Sequence, residues 1–410
     1  MRRSACLGLL LLSTTALAAD WTRFRGPNGT GTADGPLPDI NPKAPRWKVA
    51  VPGKGVSSPI VVNGKVFLQT GSDDGKKRLL LCLDADTGKT EWTKEVVGQK
   101  AKAHAKNSMA SGTPASDGTL VYCLWWDGDA MSLAAYDFAG NEKWSHSLGS
   151  YRSDHGAGHS PAVYDGTVYV NLDGSADLGG SAALLAFDAQ TGQKKWAVDR
   201  KAHRASYSTP FLRERPGKGA EVVVGTTTEV TGYDPATGKA NWAYEMKWPA
   251  GKMPLRVVGS PLTVGDMVVC YTGDGGGLRY TVGIDPNGGV PKKLWDLSKN
   301  TPYVPCMLTR NGLLFWTTDN GLAACAEAKA GKVLWEERLG AVDVTASPIL
   351  AGNEILAFAD KGQFFVFKAD REFELVRKGD LGQPVSASPA LVDGRLYVRG
   401  ATHLFCFGTK

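Results

Sequence analysis

Four of the six histidines, His104, His155, His159 and His203, fall in segments that lead into a small residue followed by proline. The same segments carry Lys106, Asn107, Arg152, Asp154, Arg204, Tyr207, Arg256, Tyr303 and Asp343, while nearby turn-rich stretches hold Trp126, Asp173, Asp274, Asp319 and Asp360. Imidazoles and carboxylates can ligate a metal or move protons, and guanidinium groups can clamp an anion. Spacing decides which of these chemistries the chain can assemble.

His155 and His159 are four apart, a metal-like interval on a helix. On an extended strand that interval is about 13 Å, too far to share one ion. Trp126-Asp127-Gly128-Asp129 offers one D-x-D and reads as a hairpin, because calcium needs about six or more oxygens. Gly273 to Gly277 could turn N–H groups toward an anion, yet it neither opens a helix nor carries a Lys, and a flexible hairpin is the better reading. Asp154, His155 and Ser160 suggest a hydrolase triad, but adjacent strand residues point to opposite faces and Ser160 belongs to a repeated structural marker. Lys54, Arg204 and Arg256 stand at similar offsets before their markers, which suits an anionic ligand; the alternative is that each stacks on a neighbouring unit.

The elements that must position these residues are repeats. Asp84-Ala85-Asp86-Thr87-Gly88-Lys89-Thr90-Glu91-Trp92 recurs as Asp188 to Trp196 and Asp234 to Trp242, with looser copies ending at Trp144, Trp295 and Trp335. Gly after Thr supplies the positive φ of a tight turn, the Asp three residues before the Thr can accept the turn's N–H groups, and the Trp falls on the next strand. A second marker precedes each copy: Ser58-Pro59, Thr113-Pro114, Ser160-Pro161, Thr209-Pro210, Ser260-Pro261, Val304-Pro305, Ser347-Pro348 and Ser388-Pro389. Their spacing, about 41 to 55 residues, is that of a four-stranded propeller blade.

Eight markers predict eight blades. The last marker is followed by only three strands, at 390–392, 395–399 and 403–407, so the strand of Trp47 completes that blade and closes the ring. Trp47, Trp92, Trp144, Trp196, Trp242, Trp295 and Trp335 then fill seven outer-strand positions as docking residues, with Phe373 and Leu375 replacing the eighth. Trp196→Ala is expected to cost about 3 to 5 kcal/mol. Alternation of strand direction puts the Asn-Gly and Thr-Gly turns on one face. The opposite face collects the marker-leading segments, where His104, Asn107, Trp126, His155, His159, Arg204, Tyr207, Arg256, Asp274, Tyr303 and Asp343 form a candidate rim for a ligand or partner.

Met1 to Ala19 has Arg2 and Arg3, an apolar run and Ala16-Leu17-Ala18-Ala19, the pattern of a secretory leader. The division expected is a leader at 1–19, an irregular arm at 20–43 and a propeller at 44–410, exported to the periplasm or beyond as a monomer. Cys6 precedes the apolar run, so it does not read as a lipidation site, and no later stretch predicts a membrane span. The formal charge of +6 falls to +4 without Arg2 and Arg3, too weak a balance for a nucleic-acid surface. Six mature cysteines, Cys82, Cys123, Cys270, Cys306, Cys325 and Cys406, mostly lie in apolar strand patterns that favour buried thiols. No C-x-x-C occurs, which argues against a thioredoxin-type pair or attached haem.

The Asp-x-x-Thr-Gly-x-x-x-Trp pattern of Asp188 to Trp196, with the Ser-Pro markers, resembles the pyrroloquinoline-quinone-like propeller repeat superfamily over the whole mature chain. Trp21 to Pro27, with His104-Ala105-Lys106-Asn107, His155-Gly156 and Ser206 to Pro210, looks like a secreted subgroup frequent in planctomycete-type bacteria. The resemblance implies either of two branches. One is quinoprotein alcohol dehydrogenases, which hold pyrroloquinoline quinone with calcium in the funnel; this chain has no adjacent Cys pair and no clear calcium carboxylate set. The other is the propeller lipoprotein of the outer-membrane barrel-assembly machine, a noncatalytic scaffold. The reading adopted is a scaffold, without cofactor, that binds an envelope or extracellular protein or a small anionic ligand at the His/Arg/Asp rim. A quinone-dependent dehydrogenase, or a ligand-binding relic of one, is the alternative.

Overall fold

The computed structural model describes residues 20–201, 203–215, 217–248 and 254–408. The leader at Met1 to Ala19 lies outside the described residues. Eight antiparallel sheets follow one another as blades: 60–97, 115–150, 162–199, 211–245, 262–297, 308–338, 349–380 and 390–407. They are numbered 1 to 8 below. Trp47–Ala50 pairs with the last strand of blade 8 in the register Trp47 to Cys406, so both ends of the chain share one sheet, as the strand count predicts.

Burial follows position in the blade. A middle strand such as Leu120–Trp126, Thr167–Asp173 or Met267–Gly273 is buried on both sides by neighbouring blades, which is why apolar residues dominate it without strict alternation. An outer strand such as Thr90–Val97 alternates exposed and half-buried residues, because only one side meets a neighbour. The six cysteines are buried free thiols within these strands.

The Asp-Thr-Gly turns form as their residue types require. Asp84 Oδ1 accepts from the Thr87 N–H at 2.9 Å and its hydroxyl at 2.7 Å, and Asp188 and Asp234 repeat the pattern. The glycine has a second duty. Gly192, at φ 71°, lies beneath the Trp144 indole of the preceding blade, where an added Cβ would come within 2.5 Å of Cδ2. Gly88, Gly140, Gly238 and Gly331 lie in the same way beneath Trp47, Trp92, Trp196 and Trp295. Each indole N–H then donates to a carbonyl of the next turn: Trp47 to Ala85, Trp92 to Phe138, Trp144 to Ala189, Trp196 to Pro235, Trp295 to Ala328 and Trp335 to Asp370, at 2.8–3.1 Å.

Two steps depart from this belt. Trp242 donates to Glu221 of its own blade, and the Glu221-bound Arg213 carries the link onward to the Asp266 carbonyl and Asn287 of blade 5. In blade 7 the residue at the Trp register is Arg377, not Phe373 or Leu375: Val366 faces Arg377 as Cys82 faces Trp92. Arg377 donates to the Pro38 carbonyl, whereas Phe373 packs on Trp335 and Leu375 is exposed. The sequence expectation failed there because the residue at the Trp register is not aromatic; the bulge beside it recurs in the other blades.

The 20–43 stretch is more structured than an irregular arm. Trp21 pairs with Val61 of blade 1, Asn28 exchanges bonds with Leu212 of blade 4, and Thr32–Ala33 adds a parallel strand to the inner edge of blade 7. Buried Arg23 donates to the Pro210 carbonyl, and Arg25 to that of Met307. The arm therefore crosses the central channel at the end where the Asn-Gly turns lie.

Candidate functional site

The small-residue markers form a second ring around that channel. Each backbone N–H donates to the side chain of the next marker: Ser58 to Thr113, Thr113 to Ser160, Thr209 to Ser260, Cys306 to Ser347, Ser347 to Ser388 and Ser388 to Ser58, at 2.9–3.2 Å. Ser260 donates to Cys306 Sγ at 3.4 Å. The blade 6 marker is thus Cys306-Met307, two residues beyond the expected Val304-Pro305. Among the described residues the step from Ser160 to Thr209 carries no such bond; it is spanned instead by His159 Nε2 to the Ser206 carbonyl at 2.9 Å and by Asn171 to that of Ser208.

Above this ring the channel opens into a funnel of about 540 Å³ whose floor is Phe24 of the arm. Of the rim residues expected from sequence, His104, Asn107, His155, Tyr207, Arg256, Asp274, Tyr303 and Asp343 line it. Trp126, His159 and Arg204 do not. Trp126 is buried in the core of blades 2 and 3, packed over Gly156. His159 lies in the wall, edge-on to Tyr151, and burial lowers its pKa to about 4 against the opposing Ser206 bond. Arg204 donates to the Pro254 carbonyl. His203 lines a separate surface recess beside Arg200, and Lys54 spends its backbone on pairing with Gly71.

Gly156, at φ 79°, reverses the chain between the two histidines, so His155 faces the funnel while His159 faces the wall. The His155 ring stacks on His104 with centroids 5.1 Å apart. Burial, then Arg256 and His104, bring its pKa down to about 4, so it is neutral near pH 7. Asn107 braces this corner by donating to the His155 and Ala157 carbonyls.

The opposite wall is more highly charged. Arg279 pairs with Asp319 at 3.4 Å and lies over the Tyr303 ring at 5.4 Å. Asp319 accepts from the Tyr303 and Val304 N–H groups, and Asp274 Oδ1 from those of Gly276 and Leu278. Lys106 reaches Asp360 of blade 7 at 3.5 Å, tying the segment that carries His104 across part of the mouth. Arg256 is 8% exposed, its Nε lacks a partner, and neither it nor Asp343 has an ion-pair partner among the described residues. Phe24 and Arg279 were not among the sequence candidates. Phe24 stood in a segment read as an arm, and Arg279 opens a strand with no marker beside it.

The residues do not fit a quinone-associated calcium site. Among the described residues no three His, Cys, Asp or Glu side chains gather closely enough to hold one ion. Asp319 and Asp274, which line the cavity with Arg256, accept from backbone N–H groups.

Eight four-stranded blades closed by a shared sheet and docked through Trp-over-Gly contacts define a propeller of pyrroloquinoline-quinone-like repeats. The model of the family described as outer membrane protein assembly factor BamB matches residues 32–152, 79–304 and 279–401, and the chain belongs to that family. It is 26% identical over 317 residues to the BamB of Burkholderia pseudomallei, covering 75% of this chain and 74% of that one. It is 24% identical over 313 residues to the dehydrogenase subunit of a quinone alcohol dehydrogenase from Gluconobacter oxydans, covering 68% of this chain and 38% of that one. A 92-residue stretch is 42% identical to the quinohemoprotein alcohol dehydrogenase ADH-IIG of Pseudomonas putida, spanning 11% of its length. The chain thus spans well under half of either dehydrogenase.

Among solved structures, BamB from Moraxella catarrhalis superposes with a TM-score of 0.66 at 13% identity, over 89% of this chain and 99% of that one. A europium-containing methanol dehydrogenase gives 0.70 at 14% identity, over 95% and 98%. These likenesses establish the fold. No helix among the described residues is long and apolar enough to cross a membrane.

Proposed function

We propose that this protein is a noncatalytic binding scaffold of the cell envelope or extracellular space, engaging a protein partner through the funnel face. The observation that carries this reading is a funnel closed at one end by the arm, whose wall combines braced side chains with unpaired Arg256 and Asp343. A braced wall costs little ordering on binding, and unpaired charges give a partner something to satisfy. The leader pattern and the relatives named for outer-membrane assembly support an envelope location. The division into leader, arm and propeller belongs to the same proposal.

A photoreactive residue at Asp343 tests it, with a second at Lys239 on the Thr-Gly face as control. Crosslinking to one envelope protein from Asp343 but not from Lys239 is the expected result; equal labelling from both faces would overturn the funnel-face assignment. Melting with pyrroloquinoline quinone, with and without calcium, tests the noncatalytic part. A ligand at a hundredfold excess over its Kd stabilises by about 2.7 kcal/mol, so a calcium-dependent rise in Tm corresponding to that stabilisation would favour the dehydrogenase reading.

A further inference from the structure

We infer that the funnel receives the free C-terminus of a polypeptide, its carboxylate held by Arg256. The inference rests on the scaffold reading and names what the partner presents.

Shape comes first. Phe24 floors the cavity, and the arm that carries it is fastened to blades 1, 4, 6 and 7 through Trp21, Arg23, Asn28, Arg25 and Thr32–Ala33. A chain cannot thread through such a funnel; it enters end-on. A cavity of about 540 Å³ is in the range that encloses a drug-sized ligand, roughly the last three or four residues of a peptide.

Charge narrows the choice of end. Three cations, Lys106, Arg256 and Arg279, and three carboxylates, Asp274, Asp319 and Asp343, line the cavity. Lys106 is engaged by Asp360 and Arg279 by Asp319, which leaves Arg256 as the lining cation without an ion pair among the described residues. Arg256 is more than nine-tenths buried with Nε unpartnered; its hydrogen-bond neighbour Tyr303 brings no formal charge, so an anion entering the cavity meets a largely desolvated guanidinium without an ion pair. One planar guanidinium matches one carboxylate through two parallel hydrogen bonds. Arg204 lies near Arg256 but outside the lining, donating to the Pro254 carbonyl, so a phosphate dianion would meet one lining guanidinium with Asp274 and Asp319 close by, a poorer balance.

The remaining wall suits a peptide backbone. Asp343 offers a carboxylate with no ion pair, an acceptor for N–H groups. The markers Ser58, Thr113, Ser160, Ser347 and Ser388 accept a bond at oxygen and so retain an O–H to donate to carbonyls. Capture of a terminal carboxylate by a preformed pocket is an established mode of peptide recognition.

The test uses the full mature chain and an equimolar mixture of random tetrapeptides, as free acids and as C-terminal amides, followed by ligand-observed NMR and thermal melting. The acids should bind at least tenfold more tightly than the amides. Arg256→Gln should erase that preference, and Arg256→Lys should restore part of it, with melting curves confirming that both variants fold. Equal binding of acids and amides, or a preference that survives in folded Arg256→Gln, overturns the inference. Propionate binding as tightly as the tetrapeptide acids also overturns it, in favour of a small free acid. If crosslinking from Asp343 still captures a protein while acids and amides bind alike, the scaffold reading stands and only the terminus assignment falls.

Discussion

The outer belt joins six of the eight blades to the next and the inner ring seven, and they do so by different physics. In the belt, a Trp indole covers the next turn's glycine and donates one hydrogen bond, so the link is mostly buried apolar area. In the ring, a backbone N–H meets a hydroxyl with little apolar burial attached. Burial of a large aromatic contributes several kcal/mol, whereas a hydrogen bond traded against water contributes about 1. The belt should therefore hold the blades together, while the ring fixes their spacing around the funnel.

Trp144→Ala gives the largest test of that division. Trp144 is 9% exposed and covers Gly192, so its removal should cost about 3 to 5 kcal/mol in denaturant unfolding. Trp196 is only half-buried, and Trp196→Ala should fall below that range, at about 2 to 3 kcal/mol. A loss under about 1 kcal/mol at Trp144 would remove the distinction between belt and ring.

Acid should act on the ring at the one step where His159 replaces a hydroxyl. Its folded pKa, about 4, lies below the usual 6.5, so between these values the native state binds fewer protons than the unfolded one. The stabilisation is fully present above pH 6.5 and is lost as pH falls toward 4, by about 3 kcal/mol. His159→Gln, which keeps a donor for the Ser206 carbonyl, should reduce the slope of that part of the pH–stability curve, leaving the share that belongs to His155. An unchanged slope between pH 6.5 and 4 would show that the wall admits the charged ring.

Ser58→Ala should cost about 1 to 3 kcal/mol by leaving the buried Ser388 N–H without its acceptor. The smallest effect belongs to Cys306. Burial pushes its thiol up, but Arg25, the Tyr271 hydroxyl and the Ser260 N–H together hold it below the ordinary thiol pKa. Cys306→Ser should change stability by less than about 0.5 kcal/mol, because a hydroxyl is what the other ring positions carry. Destabilisation beyond about 1.5 kcal/mol would mean that the ring needs sulfur's size at blade 6.

The fold was legible because the belt writes itself into the chain: Trp and Gly hold fixed offsets wherever an indole must cover a turn. The funnel was legible only in part, because its residues come from irregular segments where strand alternation does not hold. The irregular segment around Gly156 sends His155 to the cavity and His159 to the wall. Val304-Pro305 imitated the marker two residues early, hiding Cys306. Arg377 was hidden because it is not aromatic and because its partner, Pro38, lies in a segment with no repeat to compare. Phe24 could not be placed, since nothing local tells an arm which end of a channel it crosses.

The pairing of Thr32 with Leu350 sets an order of assembly. Contacts between residues so distant in sequence form late, after the loop between them has been closed. The stretch at 21–33, made long before blade 7, must therefore wait for that blade before it can settle. The pairing of Trp47 with Cys406 spans still more of the chain, so a chain caught midway would have neither a settled floor nor a closed ring.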